Sequence, residues 1–332
     1  MKKVKQFSRD EFPKALFLEL THKIYGTERV DKLPPGSDYQ QDTFFLFEGD
    51  KVMATATIFL NPQLNSNDNT VLLIGGFETI DSECKLLFEA IEQRGKELGV
   101  NQLIGPMNGS TWNNHRFIIG GQQDLFISEI SHPDYYPLIW ETNNFRTFQT
   151  YYSYKDEKMD SNNGRLLRLE AHFDKLNIRV RKIDLSVFES ELARIYKLCI
   201  RAFEHNVLYS EIAEQQFIGS YAPLKNGLKE DYIWLAEDEE KRCVGFLFAF
   251  ENKWNVNEHQ LVVKTIAKDP RFRFNGLGTL LGNRFMEKAR ANGVTSVIHA
   301  FMHKKNVSKN LSERFNGELI RTYALFSKMI EE

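Results

Sequence analysis

Residues 260–292 read QLVVKTIAKDPRFRFNGLGTLLGNRFMEKARAN, and the period of the apolar residues changes once along this stretch. Val262, Val263, Thr265 and Ile266 form a β-branched run that Pro270 stops. Leu277, Leu281, Phe285 and Ala289 then recur every four residues on one helical face. The order is strand, turn, helix, with Arg273-Phe274-Asn275-Gly276-Leu277-Gly278 at the junction. Two glycines there remove Cβ atoms, so a ligand can lie close to the backbone, and the first N–H groups of the helix point at it. Such a turn is an anion cradle. The helix dipole contributes about 0.3–1 kcal/mol, whereas each hydrogen bond from an N–H to a charged oxygen is worth roughly 1.5–3 kcal/mol, so the local bonds dominate. Lys264, Lys268, Arg271 and Arg273 stand against Asp269 alone, in a chain of net charge −2. The local field therefore favours a phosphorylated ligand although the whole chain does not. The competing reading is that Gly276 and Gly278 only let the helix pack tightly on its strand.

The strand, Pro270, Arg273-x-x-Gly276-x-Gly278 and helix, in that order, resemble the GNAT superfamily of acyl-CoA-dependent N-acyltransferases. The resemblance extends from about Asn177 to the end; Asn306 opens a short helix after the next strand, and Gly317 follows it by eleven residues, as in that family. It implies that the loop from Arg273 and Phe274 through Asn275, Gly276, Leu277, Gly278 and Thr279 holds the pyrophosphate of coenzyme A. It also implies that Ile266, Ala267 and Lys268 contact the pantetheine arm and orient the thioester carbonyl, and that Asn306 approaches the pantetheine end. Acetyl-CoA or another acyl-CoA is then the co-substrate, with no metal. One position departs from the family: where a Tyr often stands to protonate the departing thiolate, this chain has Glu313. An ionised carboxylate cannot donate a proton unless burial raises its pKa. Tyr323 is the nearest tyrosine, and in ELIRTYALFSK it alternates with Arg321 and Leu325 on a strand, where core packing competes with an acid role.

The same pattern occurs earlier. The helix 82–98, Gly99-Val100 and strand 102–104 match the later helix, Gly293-Val294 and strand 296–298 at an offset of 194 residues. In that register the cradle falls on Thr79-Ile80-Asp81-Ser82-Glu83-Cys84, which has two acids, no glycine and no cation. The first copy is therefore not expected to bind coenzyme A in the same way. It continues with GPMNGSTWNNHR (105–116), read either as a turn whose amides satisfy their own backbone or as a wall of the acceptor pocket. The expected organisation is a degenerate GNAT-like domain at 1–155, a linker and connecting helix at 156–176 centred on KDEKMDSNNG, and a GNAT domain at 177–332. Each is expected to be a twisted, mostly antiparallel α+β sheet flanked by helices.

Bulk properties narrow the function. At 332 residues, 42% hydrophobic and 27% charged, the chain has material for two cores. Near-zero net charge argues against a large footprint on nucleic acid. Three widely spaced cysteines without CxxC point to reduced thiols and a cytoplasmic setting. The N-terminus MKKVKQFSRDEF has no apolar core of a secretory signal, and the longest apolar runs, VLLIGGF and VGFLFAF, are too short to span a bilayer. The expected activity is transfer of an acetyl group to a primary amine by direct attack in the cleft between the domains. Its base would be Glu237, Glu251 or Glu258-His259 at strand ends, or a water chain. The alternatives are a non-catalytic acyl-CoA-binding or interaction protein, and a tRNA-dependent Fem-type aminoacyl transferase, which would need a broad basic face.

Overall fold

A computed structural model describes residues 1–26, 38–66, 69–121, 124–159, 163–303 and 317–331. The first half comprises β1 (Lys2–Ser8), α1 (Lys14–Tyr25), β2 (Gln40–Glu48), β3 (Lys51–Phe59), β4 (Asn65–Ser66), β5 (Asn69–Thr79), α2 (Lys85–Glu97), β6 (Gln102–Gly105), β7 (Phe117–Gly120), α3 (Tyr136–Thr142) and β8 (Arg146–Asp156). The second comprises α4 (Asn163–Lys175), β9 (Arg179–Lys182), α5 (Phe188–Phe203), α6 (Glu214–Tyr221), β10 (Ile233–Glu237), β11 (Cys243–Glu251), β12 (Gln260–Lys268), α7 (Leu277–Ala291), β13 (Ser296–His303) and β14 (Glu318–Met329). The mixed, mostly antiparallel sheet flanked by helices is the expected class, but the two halves share one sheet. Its order is β1-β2-β3-β5-β6-β14-β8-β13-β12-β11-β10-β9, with β4 on β5 and β7 on β14.

Among the described residues only β5–β6 and β12–β13 pair in parallel. Each half ends in the other's territory: β14 lies between β6 and β8, and β8 lies between β14 and β13. The two closing strands pair antiparallel from Glu318↔Lys155 to Ser327↔Arg146. Burial follows the exchange, since Ala324, Phe326 and Ile330 sit in the first half's core with Phe88, Trp140 and Phe145. A division at 155–177 thus follows the repeats along the chain, while β14 crosses it. The repeat offset also changes: the parallel registers set Val71 beside Gln102 and Gln260 beside Ser296. The first strands, β5 and β12, therefore match at 189 while β6 and β13 keep the expected 194, and five residues (80–84) lead into α2 where eight (269–276) lead into α7.

The predicted face of α7 is buried. Leu277, Leu281, Phe285 and Ala289 pack with Leu166 and Phe173 of α4 and with Val244 and Leu247 of β11, each large apolar side chain contributing about 1.5–3 kcal/mol. On the other face of the sheet, Ile195 and Leu198 of α5 and Phe217 of α6 cover Phe246 and Phe248. The helix α1 starts after Pro13, and the Ser8 hydroxyl donates to Glu11 ahead of it (2.9 Å). Before α3, Pro133 O accepts from Tyr136 N–H (3.2 Å) in a preceding turn.

Asp231 ties the strands to α7 through Lys182 (2.7 Å), Lys288 (3.3 Å) and Asn292 (2.9 Å). Burial raises its pKa, but the hydrogen bonds from Lys182, Asn292 and Lys288 prevail and lower it to about 2. A depressed carboxyl pKa stabilises the fold above the unfolded value of 3.8 and stops doing so as pH falls through about 2. Asp231→Asn should therefore cost about 1–2 kcal/mol at pH 7. In urea denaturation series the deficit relative to wild type should narrow as pH is taken from 5 toward 2.

Candidate active site

The turn before α7 has the geometry of a cradle. Gly276 is left-handed at φ +92, and Leu280 N–H is the first amide of the helix to reach a carbonyl, that of Gly276 (3.0 Å). The amides of Leu277, Gly278 and Thr279 have no acceptor among the described residues. Phe274 is fully buried and anchors the turn, with Arg271 and Arg273 guanidinia 5.1 and 4.7 Å from its ring. The packing explanation of the glycines holds at one position and fails at the other. A Cβ on Gly276 would lie 2.7 Å from Leu169 of α4 on a backbone already unfavourable to side chains, so fold alone requires glycine there. A Cβ on Gly278 would meet only Ile266 Cδ1, at an ordinary 3.7 Å. The local field is weaker than the composition suggested. Arg271 is held by Asp269 (2.7 and 2.8 Å), Lys264 turns away to Tyr221, and Lys268 caps the Asp269 carbonyl (3.2 Å), leaving Arg273 exposed beside the turn.

The strand that leads into this turn splays from its neighbour. The parallel pairing of β12 with β13 ends at Val263↔His299. There β12 bulges, since Val263 faces Ala249 and Thr265 faces Phe248, which leaves Lys264 as the extra residue. On the other side β13 shifts register between His299 and Met302, and Phe301 takes φ +58. Between them lies a cleft of about 950 Å³, walled by both strands, by the α5–α6 connection and by residues 111–116 of the first half. Trp112 joins the halves, its indole N–H donating to Ser210 O (2.8 Å) and its ring meeting Tyr209 and Phe217. Within 105–116 Asn113 Nδ2 donates to Asn108 O (2.8 Å), as the turn reading expects, and Thr111–Arg116 also line the cleft.

The first half has closed the matching splay with its own chain. After Leu73↔Ile104, Met107 N–H donates to Ile74 O (2.8 Å) and Gly76 N–H to Asn108 Oδ1 (2.9 Å). A Cβ on Gly75 would stand 2.0 Å from that Asn108 oxygen, so glycine is what admits the plug. At the head of α2, Asp81 accepts from Glu83 N–H (2.9 Å) where the second half offers amides.

The other predicted site residues divide. Ile266 lines the cleft; Ala267 is buried toward α5, and with Lys268 it continues the β12 edge beyond the cleft, where β13 no longer pairs. Glu237 does not line the cleft; it is locked by Arg181 (2.9 Å) and Arg194 (2.7 Å). Glu258 is likewise outside, bonded to Ser296 (2.8 Å) and Lys155 (3.1 Å). Glu251 pairs with Lys229 (2.6 Å) and lies 3.4 Å from His259. These acids were expected as bases and the fold spends them as ion pairs. Tyr323 does line the cleft, but its hydroxyl is engaged with Ser153 (3.0 Å) and Glu129. Asn306 and Glu313 lie outside the described residues. Among these residues no His, Cys, Asp and Glu cluster suits a metal, and the three cysteines are buried and free.

His115 and Arg116, from the loop read as a possible pocket wall, reach the cleft, and so do Tyr151, His299 and His303, which were not singled out from sequence. Burial holds His299 neutral down to about 4, and burial with the charge of Arg116 holds His115 neutral down to about 3. Burial raises the Tyr151 phenol, which stays protonated. Arg116, at φ +72, and Phe301 are both left-handed, and the Arg116 guanidinium stands 4.0 Å over the Phe301 ring. Such backbone strain costs on the order of 1–3 kcal/mol per residue and gathers at functional sites.

Residues 192–317 match the model of the acetyltransferase (GNAT) family. Comparison with curated proteins gave no match. Among solved structures, a GCN5-related N-acetyltransferase from Sphaerobacter thermophilus is similar at 12% identity and TM-score 0.52, over 100% of this chain and 96% of that one. A tandem GNAT protein from the clavulanic acid biosynthesis pathway is similar at 8% identity and TM-score 0.53, over 100% and 99%. A glucosamine N-acetyltransferase region of a fungal multi-domain GH3 β-N-acetylglucosaminidase is similar at 14% and 0.56, over 99% of this chain but only 38% of that one. At these identities the likeness is one of fold.

Proposed function

We propose that this chain, a GNAT-superfamily protein of the tandem form, transfers an acyl group, acetyl in the simplest case, from coenzyme A to an amine bound in the cleft. The observation that carries the reading is the set of three amides at Leu277, Gly278 and Thr279 without acceptors among the described residues, on the turn that follows β12, whose Ile266 both lines the cleft and stands next to Gly278. Acyl-CoA supplies an activated thioester when bound. The residues of the chain do the rest. The amides hold the diphosphate, and the open edge of β12 from Lys264 onward aligns the pantetheine arm and offers N–H donors to a developing oxyanion, worth about 2.7–4 kcal/mol each. The first half closes the cleft over the acceptor and binds no nucleotide of its own. The imidazoles of His299, held neutral by burial, and of His303 relay the amine proton to solvent. The reaction belongs in the cytoplasm, where the buried thiols stay reduced.

A thiolate leaving group needs a proton, and four tyrosines line the cleft: Tyr209 and Tyr221 on the α5–α6 side, and Tyr151 of β8 and Tyr323 of β14 on the side where Tyr151 pairs with His303 of β13. Tyr323 already spends its hydroxyl on Glu129 and Ser153, whereas the Tyr151 hydroxyl has no partner among the described residues and is the donor we assign. Tyr151→Phe should lower kcat by about 10²-fold, the usual scale of acid catalysis, with acyl-CoA affinity unchanged. Tyr323→Phe should instead cost about 1–3 kcal/mol of stability by stripping a donor from buried Glu129, seen in urea denaturation. The test of the function is thiol release from acetyl-CoA across a panel of primary amines. Amine-dependent release supports it; tight coenzyme A binding with no release in any case leaves a binding protein.

A further inference from the structure

The cleft is short of negative charge. Glu129 is the one carboxylate among the residues lining it, and it is already met by Arg321 (3.1 Å), by Phe126 N–H (3.0 Å) and by the Tyr323 hydroxyl. Two cations face the same space without an ion pair among the described residues. Arg116 is framed by Phe301 (4.0 Å), Tyr151 (4.9 Å) and Tyr323 (5.6 Å). One guanidinium N–H is used on His115 Nε2 (3.0 Å), and His115 is fixed in turn by the Asn113 carbonyl (2.8 Å). Lys264, put on this side by the β12 bulge, stands 5.3 Å over the Tyr221 ring on the wall that α6 supplies. The two are close enough that Arg116 adds to burial in lowering the lysine's proton affinity.

Three aromatic faces soften the burial of a guanidinium but leave the outer edge of its fork open, and that edge matches the two oxygens of a carboxylate. The strained backbones of Arg116 and Phe301 hold this arrangement rigidly, which a surface cation would not require. Resting on the acyl-transfer reading and naming its acceptor class, we infer that the amine acceptor carries a carboxylate, as an amino acid does, gripped by Arg116 with Lys264 beside it. The amine then points along the cleft toward the β12 edge, and an amine lacking the acid group is a poor substrate.

The test is calorimetric titration of the full chain with each of the standard L-amino acids and with its C-terminal amide. At least one acid should bind about tenfold or more tightly than its amide. Arg116→Met should remove most of that preference. Lys264→Met, a second variant on β12, should weaken it by about threefold to tenfold, and Arg116→Met should leave coenzyme A affinity unchanged. Because the readout is binding, failure of the transferase reading would appear separately, as carboxylate binding without thiol release. Titration with succinyl-CoA against acetyl-CoA covers the other source of a carboxylate. If Arg116→Met weakens only succinyl-CoA, the acid belongs to the acyl chain and the inference is overturned. It is equally overturned if acids and amides bind alike, or if no amino acid binds saturably.

Discussion

Gly278→Glu should reduce coenzyme A affinity by about a hundredfold or more while the protein unfolds at the same denaturant concentration. A Cβ at this position meets only Ile266 Cδ1 at 3.7 Å. A carboxylate in the first turn of α7 also suits the helix dipole. That same carboxylate takes the amides a diphosphate would use and repels its charge. Losing two hydrogen bonds to a charged oxygen, at roughly 1.5–3 kcal/mol each, already exceeds the 2.8 kcal/mol or so that corresponds to a hundredfold. Titration calorimetry beside urea denaturation separates the two effects. Gly276 is the wrong place for this experiment, although the sequence set it beside Gly278 as an equal. With φ +92 and Leu169 Cδ2 2.7 Å from the missing Cβ, any side chain there strains the turn and displaces the Leu169 side chain.

Glu237→Gln should lower stability by about 3 kcal/mol and leave kcat per folded molecule unchanged. Glu237 and Glu191 share Arg181 and Arg194 in a network of two acids and two arginines, with the side chains of the acids 9% and 1% exposed. Neutralising one acid leaves two guanidinia against a single carboxylate, and breaking buried pairs from one side costs about 3–5 kcal/mol. Burial raises the Glu237 pKa, but the hydrogen bond and charge of Arg181, helped by Arg194 and Arg179, hold it below its ordinary 4.5. A carboxyl depressed in the fold stabilises above 4.5 and ceases to do so as pH falls through its folded value. The deficit of the variant should therefore be fullest at neutral pH and shrink in acid. A large drop in kcat with stability unchanged would restore Glu237 as a base.

The cradle was legible because everything that makes it is local: a change of period, a stop at Pro270 and glycines at a helix start. The contrast at the head of α2 was legible for the same reason, through the acids of Asp81-Ser82-Glu83 and the absence of glycine there. The exchange of β8 and β14 was not, because each reads as an ordinary closing strand and nothing within 147–155 or 318–328 records which sheet will receive it. Glu237 and Glu258 were misjudged on the same ground, since their cations come from positions 181, 194 and 155. Arg116 hid in an Asn-rich loop. Its cage is assembled from residues 151, 301 and 323, and the positive φ that aims it has no mark in the local pattern. Lys264 was counted toward the cradle because only the bulge reveals that it turns the other way.

The most direct measurement is a crystal structure grown with coenzyme A. The account predicts one nucleotide per chain, its diphosphate within hydrogen-bonding distance of the amides of Leu277, Gly278 and Thr279, its arm running between β12 and β13, and the Asn108 plug of the first half in place. A diphosphate bound at the head of α2 instead, or a turn at 273–279 left empty at saturating nucleotide, would contradict it.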